Sequence, residues 1–369
     1  MGKSLKPIIV ISAVNFTSGG PLSILQDCLS YLQDDCLKNY RVIALVHDKK
    51  LLNHVNGIEF IEFPKSIRSY FYRLYYEYIY FHKLSKTLNP YLWLSLHDIT
   101  PTVKADIRAV YCHNPSPFYK LRLNQVLLDP TFALFNILYH YIYKINIKKN
   151  DYVIVQQDWL RTMFKKLYKL NSVVVAYPNI QVAQVEATIE QTEKYQFFFP
   201  TLPRFFKNIE VIVGAVKILN KRQCIDFEVV ITIDGAENKY ARHIAEYSSN
   251  VENINFIGRV SRDKVFKLYE QSDCLIFPSQ LETWGLPITE FKQFNKPMLV
   301  ADLPYAHETV GDYQAVSFFE ADDSSALAEQ MQSLMKGDIR FTGNKSNQLA
   351  SPFTQSWNEL FNLLLQKVN

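Results

Sequence analysis

The stretch from Cys274 to Glu290 constrains this chain more than any other: Cys-Leu-Ile-Phe-Pro-Ser-Gln-Leu-Glu-Thr-Trp-Gly-Leu-Pro-Ile-Thr-Glu. Cys274 to Phe277 is a short apolar run, the pattern of a strand buried on both faces of a parallel sheet. Pro278, Ser279 and Gln280 end it. Gly285 supplies a flexible turn, and Pro287 suits the first position of a helix, where its missing N–H costs nothing. Such a strand–loop–helix leaves backbone N–H groups at the helix start, a setting for a phosphate or pyrophosphate. Two carboxylates bracket it, Glu282 in the loop and Glu290 about one turn into the helix.

The same alternation runs through the chain. Strands are expected at 7–13, 41–46, 58–63, 92–96, 107–111, 151–156 and 173–177. After an interdomain linker at 180–195, rich in Gln, Glu and Thr, they resume at 195–200, 227–233, 254–257, 274–277, 298–301 and 315–319. Helical spacing marks 22–32, 209–219, 262–271, 326–335 and 357–368. The expected organisation is a first domain over 1–180, a second over 181–345, and a terminal segment over 346–369.

The Glu-x7-Glu frame in this setting resembles the retaining glycosyltransferases of the GT-B fold, family 4. The resemblance is strongest over about 195–320 and weaker over 1–180. It implies an α/β chain of two Rossmann-like βαβ domains facing each other across a cleft, with the terminal helix returning to the first. It also implies that Glu282 lies at the donor sugar and that Glu290 bonds the ribose of the nucleotide. Thr283, Trp284, Gly285 and Leu286 then hold the donor phosphates through the loop. The family more often has Gly-Phe-Gly after the first Glu. Here the run is Thr283-Trp284-Gly285, and the larger indole reshapes the sugar pocket.

Other positions carry the resemblance further. Asn15 to Pro21 follows the first strand with Gly19-Gly20-Pro21, similar to the family's turn where donor phosphate and acceptor meet; it is not the G-x-G-x-x-G of a dinucleotide fold. His113, before Asn114-Pro115, resembles a His beside the donor sugar and pyrophosphate and joins Glu282 as a candidate catalytic residue. His97-Asp98 ends the preceding strand, and His97 is either a site residue or a structural one. Lys207 matches a family Lys that contacts the pyrophosphate. A cation at a helix start opposes the helix dipole, so a bound anion accounts for it. The family's Arg five residues earlier is Leu202 here, with Arg204 as the substitute. Gly258 and Arg259 edge the nucleobase pocket by the same analogy. No metal-ligand cluster is visible, and the expected chemistry needs neither metal nor cofactor.

Charge is unevenly divided. Residues 1–180 hold 22 Lys+Arg and 12 Asp+Glu, a net of +10, against −6 for the remainder. The basic half is also aromatic. Between 65 and 86, Tyr70, Phe71, Tyr72, Tyr75, Tyr76, Tyr78, Tyr80 and Phe81 interleave with Arg68, Arg73, Lys83 and Lys86, and 118–149 repeats the pattern. Two readings fit: a membrane-surface helix with aromatic and cationic faces, or a core helix whose Tyr hydroxyls reach solvent. No nucleic-acid motif accompanies the charge. Five unpaired cysteines, no signal peptide and no apolar run of about 18 residues fit a cytoplasmic chain, peripheral on the inner membrane face.

The expected function is transfer of a sugar from a nucleoside-diphosphate sugar to a saccharide acceptor, polyprenyl-diphosphate-linked, in bacterial O-antigen or capsule assembly. The alternatives are an epimerase or phosphorylase on the same fold, or a non-catalytic sugar-nucleotide-binding subunit.

Overall fold

The computed structural model of the chain describes residues 6–178, 194–346 and 348–366; nearly all of the expected linker lies outside them. In chain order the strands are β1 (Ile8–Ala13), β2 (Arg41–Val46), β3 (Glu59–Glu62), β4 (Leu92–Ser95), β5 (Ile107–Cys112), β6 (Tyr152–Val155) and β7 (Val174–Ala176), followed by β8 (Tyr195–Phe199), β9 (Phe227–Ile231), β10 (Ile254–Phe256), β11 (Cys274–Phe277), β12 (Met298–Ala301), β13 (Val316–Phe319) and β14 (Phe353–Thr354). The α-helices are α1 (Gly19–Tyr31), α2 (Tyr70–Tyr75), α3 (Phe81–Leu88), α4 (Leu123–Leu128), α5 (Pro130–Lys144), α6 (Asp158–Tyr168) and α7 (Ile209–Lys221), then α8 (Lys239–Tyr247), α9 (Arg262–Gln271), α10 (Leu286–Phe291), α11 (Pro304–Val310), α12 (Ser324–Lys336) and α13 (Trp357–Leu365).

These elements form two compact units. One comprises the described residues within 1–117, 137–180 and 349–369, the other those within 118–136 and 181–348. Each is built on a parallel sheet. The first sheet has the order β14-β7-β6-β5-β4-β1-β2-β3 and the second β10-β9-β8-β11-β12-β13. The inner strands are near-continuous apolar runs, as expected where both faces are covered, whereas β3 and β10 at the sheet edges are only partly buried. Ile9 to Ile11 and Phe197 to Phe199, for example, are wholly buried. In each sheet the order reverses once, between β1 and β4 and between β8 and β11. At such a switch point neighbouring loops diverge above the carboxyl ends of the strands, where open α/β sheets bind ligands.

The first unit's core takes in Leu360, Phe361 and Leu364 of α13 beside Ile9, Ile11 and Leu94. The terminal residues also supply β14, which adds to the sheet beside β7 and was not anticipated because two residues carry no periodicity. Nor were α8 and α11. Helix α1 opens at Gly19 rather than at Leu22, because Pro21 fits the first turn, where its missing N–H costs nothing.

The aromatic stretch forms one helical run, α2 and α3 joined by a π-helical turn over Tyr76–Tyr80. Its faces correct the sequence reading in one respect. Arg73 does not belong to the cationic face. With Glu77, Phe81 and Ser85 it lies on the inward face, four residues apart at each step, and is buried. The Arg73 guanidinium donates to the His97 carbonyl oxygen at 2.9 Å.

The expected first domain also loses a segment. Residues 118–136 cluster with the second unit, because Phe132 packs on Phe205 and Phe206 at ring separations of 5.0 and 5.1 Å. Ion pairs add to this: Arg204 with Asp129 at 2.7 Å, and Arg122 with Asp322.

Candidate functional site

In the second unit, the loops after β8 and β11 meet at the switch point. The chain leaves β8, makes a 3-10 turn at Phe205–Lys207 and enters α7 through Asn208, whose φ is 58°. The β11 loop is stitched to that turn. The Gln280 amide donates to the Phe206 carbonyl at 2.7 Å, and the Asn208 side-chain amide donates to the carbonyls of Pro278 and Ala321 at 3.3 and 2.6 Å. The Tyr305 hydroxyl holds the loop from beneath by donating to the Ser279 carbonyl at 2.6 Å. Burial, with the Glu282 carboxylate adding to it, pushes that phenol well above its ordinary pKa, so it stays a donor.

This stitching brings Lys207 and Glu282 together. The Lys207 Nζ lies 2.5 Å from Glu282 Oε1, with the side chains 18% and 14% exposed. Lys207 also sits 5.7 and 6.0 Å from the ring centres of Phe206 and Phe277. The pair is therefore partly desolvated but open to solvent. An ammonium has three donors, so Lys207 can keep Glu282 and still take an incoming anion.

Gly285 then turns the chain into α10 with φ 88°, and a Cβ there would meet Ile288, Phe277 and Tyr305 at 3.4–3.6 Å. The space there would take a Cβ in ordinary contact, so it is the left-handed φ that favours glycine at this position. Trp284 is buried; its indole N–H donates to Thr289 Oγ1 at 3.0 Å, and the Thr309 hydroxyl donates to its carbonyl. Thr283 is half-buried and Leu286 is exposed.

Glu290 is buried and already has two donors: Arg262 Nη2 at 2.9 Å on Oε1 and the Tyr269 hydroxyl at 3.0 Å on Oε2. Burial pushes its carboxyl above the ordinary range, opposed by Arg262 and the Tyr269 bond. Sequence reasoning missed Arg262, since nothing in local spacing links a residue at the start of α9 to one at the end of α10. Gly258, with φ 70°, donates its amide to the Ile233 carbonyl at 3.0 Å, and Arg259 beyond it is exposed.

In the first unit, β1, β4 and β5 are neighbours, so the loops carrying Gly19-Gly20, His97-Asp98 and His113 adjoin. The His113 ring lies 4.2 Å from the Tyr111 ring and edge-on to Phe16 at 6.1 Å. Asp98 organises this corner. Its Oδ1 accepts from the amides of His113 and Asn114 at 2.6 and 2.9 Å and from the Tyr143 hydroxyl at 2.9 Å. Burial pushes His113 below its ordinary pKa although the Asp98 charge opposes this, so the imidazole is neutral near pH 7. Gly19 and Gly20 are exposed, with nothing within 4 Å of where a Cβ would stand.

His97 is wholly buried, 3.1 Å from Ser12 Oγ and 3.2 Å from Glu77 Oε1. That makes it a core residue tying β1 and β4 to the helical run. Among the described residues, no group of three or more His, Cys, Asp or Glu side chains is placed to hold a metal ion.

Residues 183–351 match the family described as Glycosyl transferases group 1. Over 233 residues, 62% of this chain, the sequence is 23% identical to the O-antigen chain mannosyltransferase RfbU of Salmonella typhimurium. Over 130 residues, 34% of this chain, it is 27% identical to the D-rhamnosyltransferase WbpZ of Pseudomonas aeruginosa. The matched regions span 60% and 32% of those two proteins. Among solved structures, sucrose-phosphate synthase of Thermosynechococcus elongatus superposes with a TM-score of 0.64 at 13% identity, covering 90% of both chains. That last likeness is one of fold, the two parallel-sheet α/β domains of GT-B architecture.

Proposed function

We propose, from the Glycosyl transferases group 1 domain over 183–351, that this chain is a retaining glycosyltransferase of family 4. It moves a sugar from a nucleoside-diphosphate sugar to a lipid-linked saccharide in bacterial surface polysaccharide assembly. The observation that carries the reading is the Lys207–Glu282 pair at the switch point, with Glu290 eight positions further on the helix that follows. Lys207 meets the diphosphate and stabilises its charge as the sugar–phosphate bond breaks, an effect strongest where water is thinned out. Glu282 orients the sugar from the same spot. Glu290 takes the ribose, Gly258 and Arg259 border the base, and neutral His113 offers a hydrogen bond to the sugar. In this reading Lys207 and the loop amides offset the leaving group's charge without a divalent cation.

The test is a transfer assay with a panel of nucleoside-diphosphate sugars, mannosyl and D-rhamnosyl donors among them, with and without a polyprenyl-diphosphate saccharide. The product's anomeric configuration is read by NMR. Acceptor-dependent transfer with retention is expected, and Glu282→Gln is expected to lower turnover at least about a hundredfold without weakening nucleotide binding. Donor consumption without an acceptor, or an inverted product, sinks the reading.

An anionic membrane is the proposed meeting place with the acceptor. Ile137, Leu138, Tyr141 and Ile145 are exposed on one face of α5 and its extension, and Phe71, Leu74 and Ile79 along the α2–α3 run. Exposed Lys65, Arg68, Lys83, Lys86 and Lys144 accompany them. Each such cation near an anionic surface contributes about 1 kcal/mol, enough together for reversible attachment. No helix among the described residues is long and apolar enough to cross a membrane. In flotation with anionic vesicles at low salt, the protein is expected to rise with the vesicles, and Gln at Arg68, Lys83, Lys86 and Lys144 to release it. Wild-type protein left at the bottom of the gradient refutes the attachment.

A further inference from the structure

We propose that Arg262 is a positioning residue for nucleotide recognition: it keeps Glu290 an acceptor-only carboxylate for the two ribose hydroxyls. The inference rests on the reading of Glu290 as the ribose-binding residue. Arg262 and Tyr269 stand seven residues apart on α9, two turns along one face, and deliver one donor to each oxygen of Glu290. A carboxylate has about four lone-pair sites, so two stay available, one on each oxygen. That is the complement of a vicinal diol. A protonated carboxyl instead has an O–H to place and bonds a hydroxyl about half as strongly.

Glu290 is buried, whereas the Arg262 side chain is 63% exposed. Burial alone favours the neutral acid. Among the described residues, the charged or titratable groups that act on Glu290 are Arg262 and Tyr269. Tyr269 is itself pushed well above its ordinary pKa by burial, so it remains a neutral donor. Arg262 is thus the cation that holds the carboxylate charged. Without it, the Glu290 carboxyl titrates at a higher pH than in the wild type. Affinity for the nucleotide is then lost as pH falls through that value, and persists above it.

The experiment compares wild type, Arg262→Gln and Arg262→Lys by two readouts. One is a carbon NMR titration of the Glu290 carboxyl in protein labelled at glutamate. The other is calorimetric binding of UDP and GDP at about pH 5.5 and about pH 8, both above the range of an unperturbed Glu carboxyl. In Arg262→Gln the carboxyl is expected to titrate about one pH unit higher, with affinity falling about tenfold at the lower pH and little at the higher. Arg262→Lys is expected to restore most of both. An unmoved carboxyl titration overturns the proposal, as does an equal loss of affinity at both pH values. If the wild type binds neither nucleotide, the ribose reading falls and this proposal with it, while the carboxyl titration still reports on the Arg262–Glu290 pair.

Discussion

Lys207→Ala is expected to weaken binding of a nucleoside diphosphate by about 30- to 100-fold, and binding of the matching nucleoside only a fewfold. Two effects add. In the proposed reading the variant loses a charge-assisted bond to phosphate, and it leaves the Glu282 charge uncompensated beside it. Removing one partner of a desolvated charge pair typically costs about 2–5 kcal/mol, and the residual exposure of this pair places it at the low end. The double variant Lys207→Ala/Glu282→Ala is therefore expected to bind the diphosphate more tightly than Lys207→Ala alone. Isothermal titration with UDP, GDP and their nucleosides decides the point. Equal losses for diphosphate and nucleoside would mean that Lys207 only braces the Phe205–Lys207 turn.

The largest expected effect on stability belongs to Arg73→Gln. It removes a charged donor to the buried His97 carbonyl, worth about 1.5–3 kcal/mol, so the thermal midpoint should fall by roughly 2–4 °C. The loss should also depend on pH. Burial pushes the Glu77 carboxyl up to about 8, opposed by Arg73. An unfolded Glu titrates near about 4.3, so between these values the unfolded chain is ionised while the folded one keeps its proton. Stability therefore falls with rising pH across that window, by up to about 1.4 kcal/mol per unit, and levels off above it.

Without Arg73 the folded carboxyl rises further, and the decline continues past the point where wild type levels off. The gap between the two proteins should widen from about pH 7 to about pH 9, above the range where an unfolded His titrates. His97, pushed below its ordinary pKa by burial, acts in the opposite sense and below that range. A gap that stays constant with pH would show that Arg73 and Glu77 do not sense each other. Arg68→Gln, on the exposed side, should leave the midpoint nearly unchanged.

What the sequence made legible was local. Each expected strand is present within a residue or two, most of them because a strand buried on both faces is written as an unbroken apolar run, as at 42–46 or Met298–Ala301. Pro287 and Gly285 marked the start of α10 for the same reason: a missing N–H and a positive φ are properties of single residues. What stayed hidden was pairing across the fold. Arg73 reads as one more cation among tyrosines, and only the placement of Glu77 and His97 shows it turned inward. Arg262 is likewise ordinary in its own neighbourhood. Asp129 gives no sign that it meets Arg204, because 75 residues separate them.

The excursion of residues 118–136 bears on how a chain of this kind can be divided and recombined. The stretch leaves the first sheet after β5 and contributes Phe132 and Asp129 to the second unit before the chain goes on to β6. The halves are therefore not modular at the level of the polypeptide. A hybrid joined at residue 180 would give the second half a foreign version of this stretch, with Phe205, Phe206 and Arg204 facing side chains they did not evolve beside. A change in stability or binding assigned to the second half alone would then arise for reasons that lie in the first half of the chain. A junction scheme that carries 118–136 together with 181–348 keeps those contacts intact.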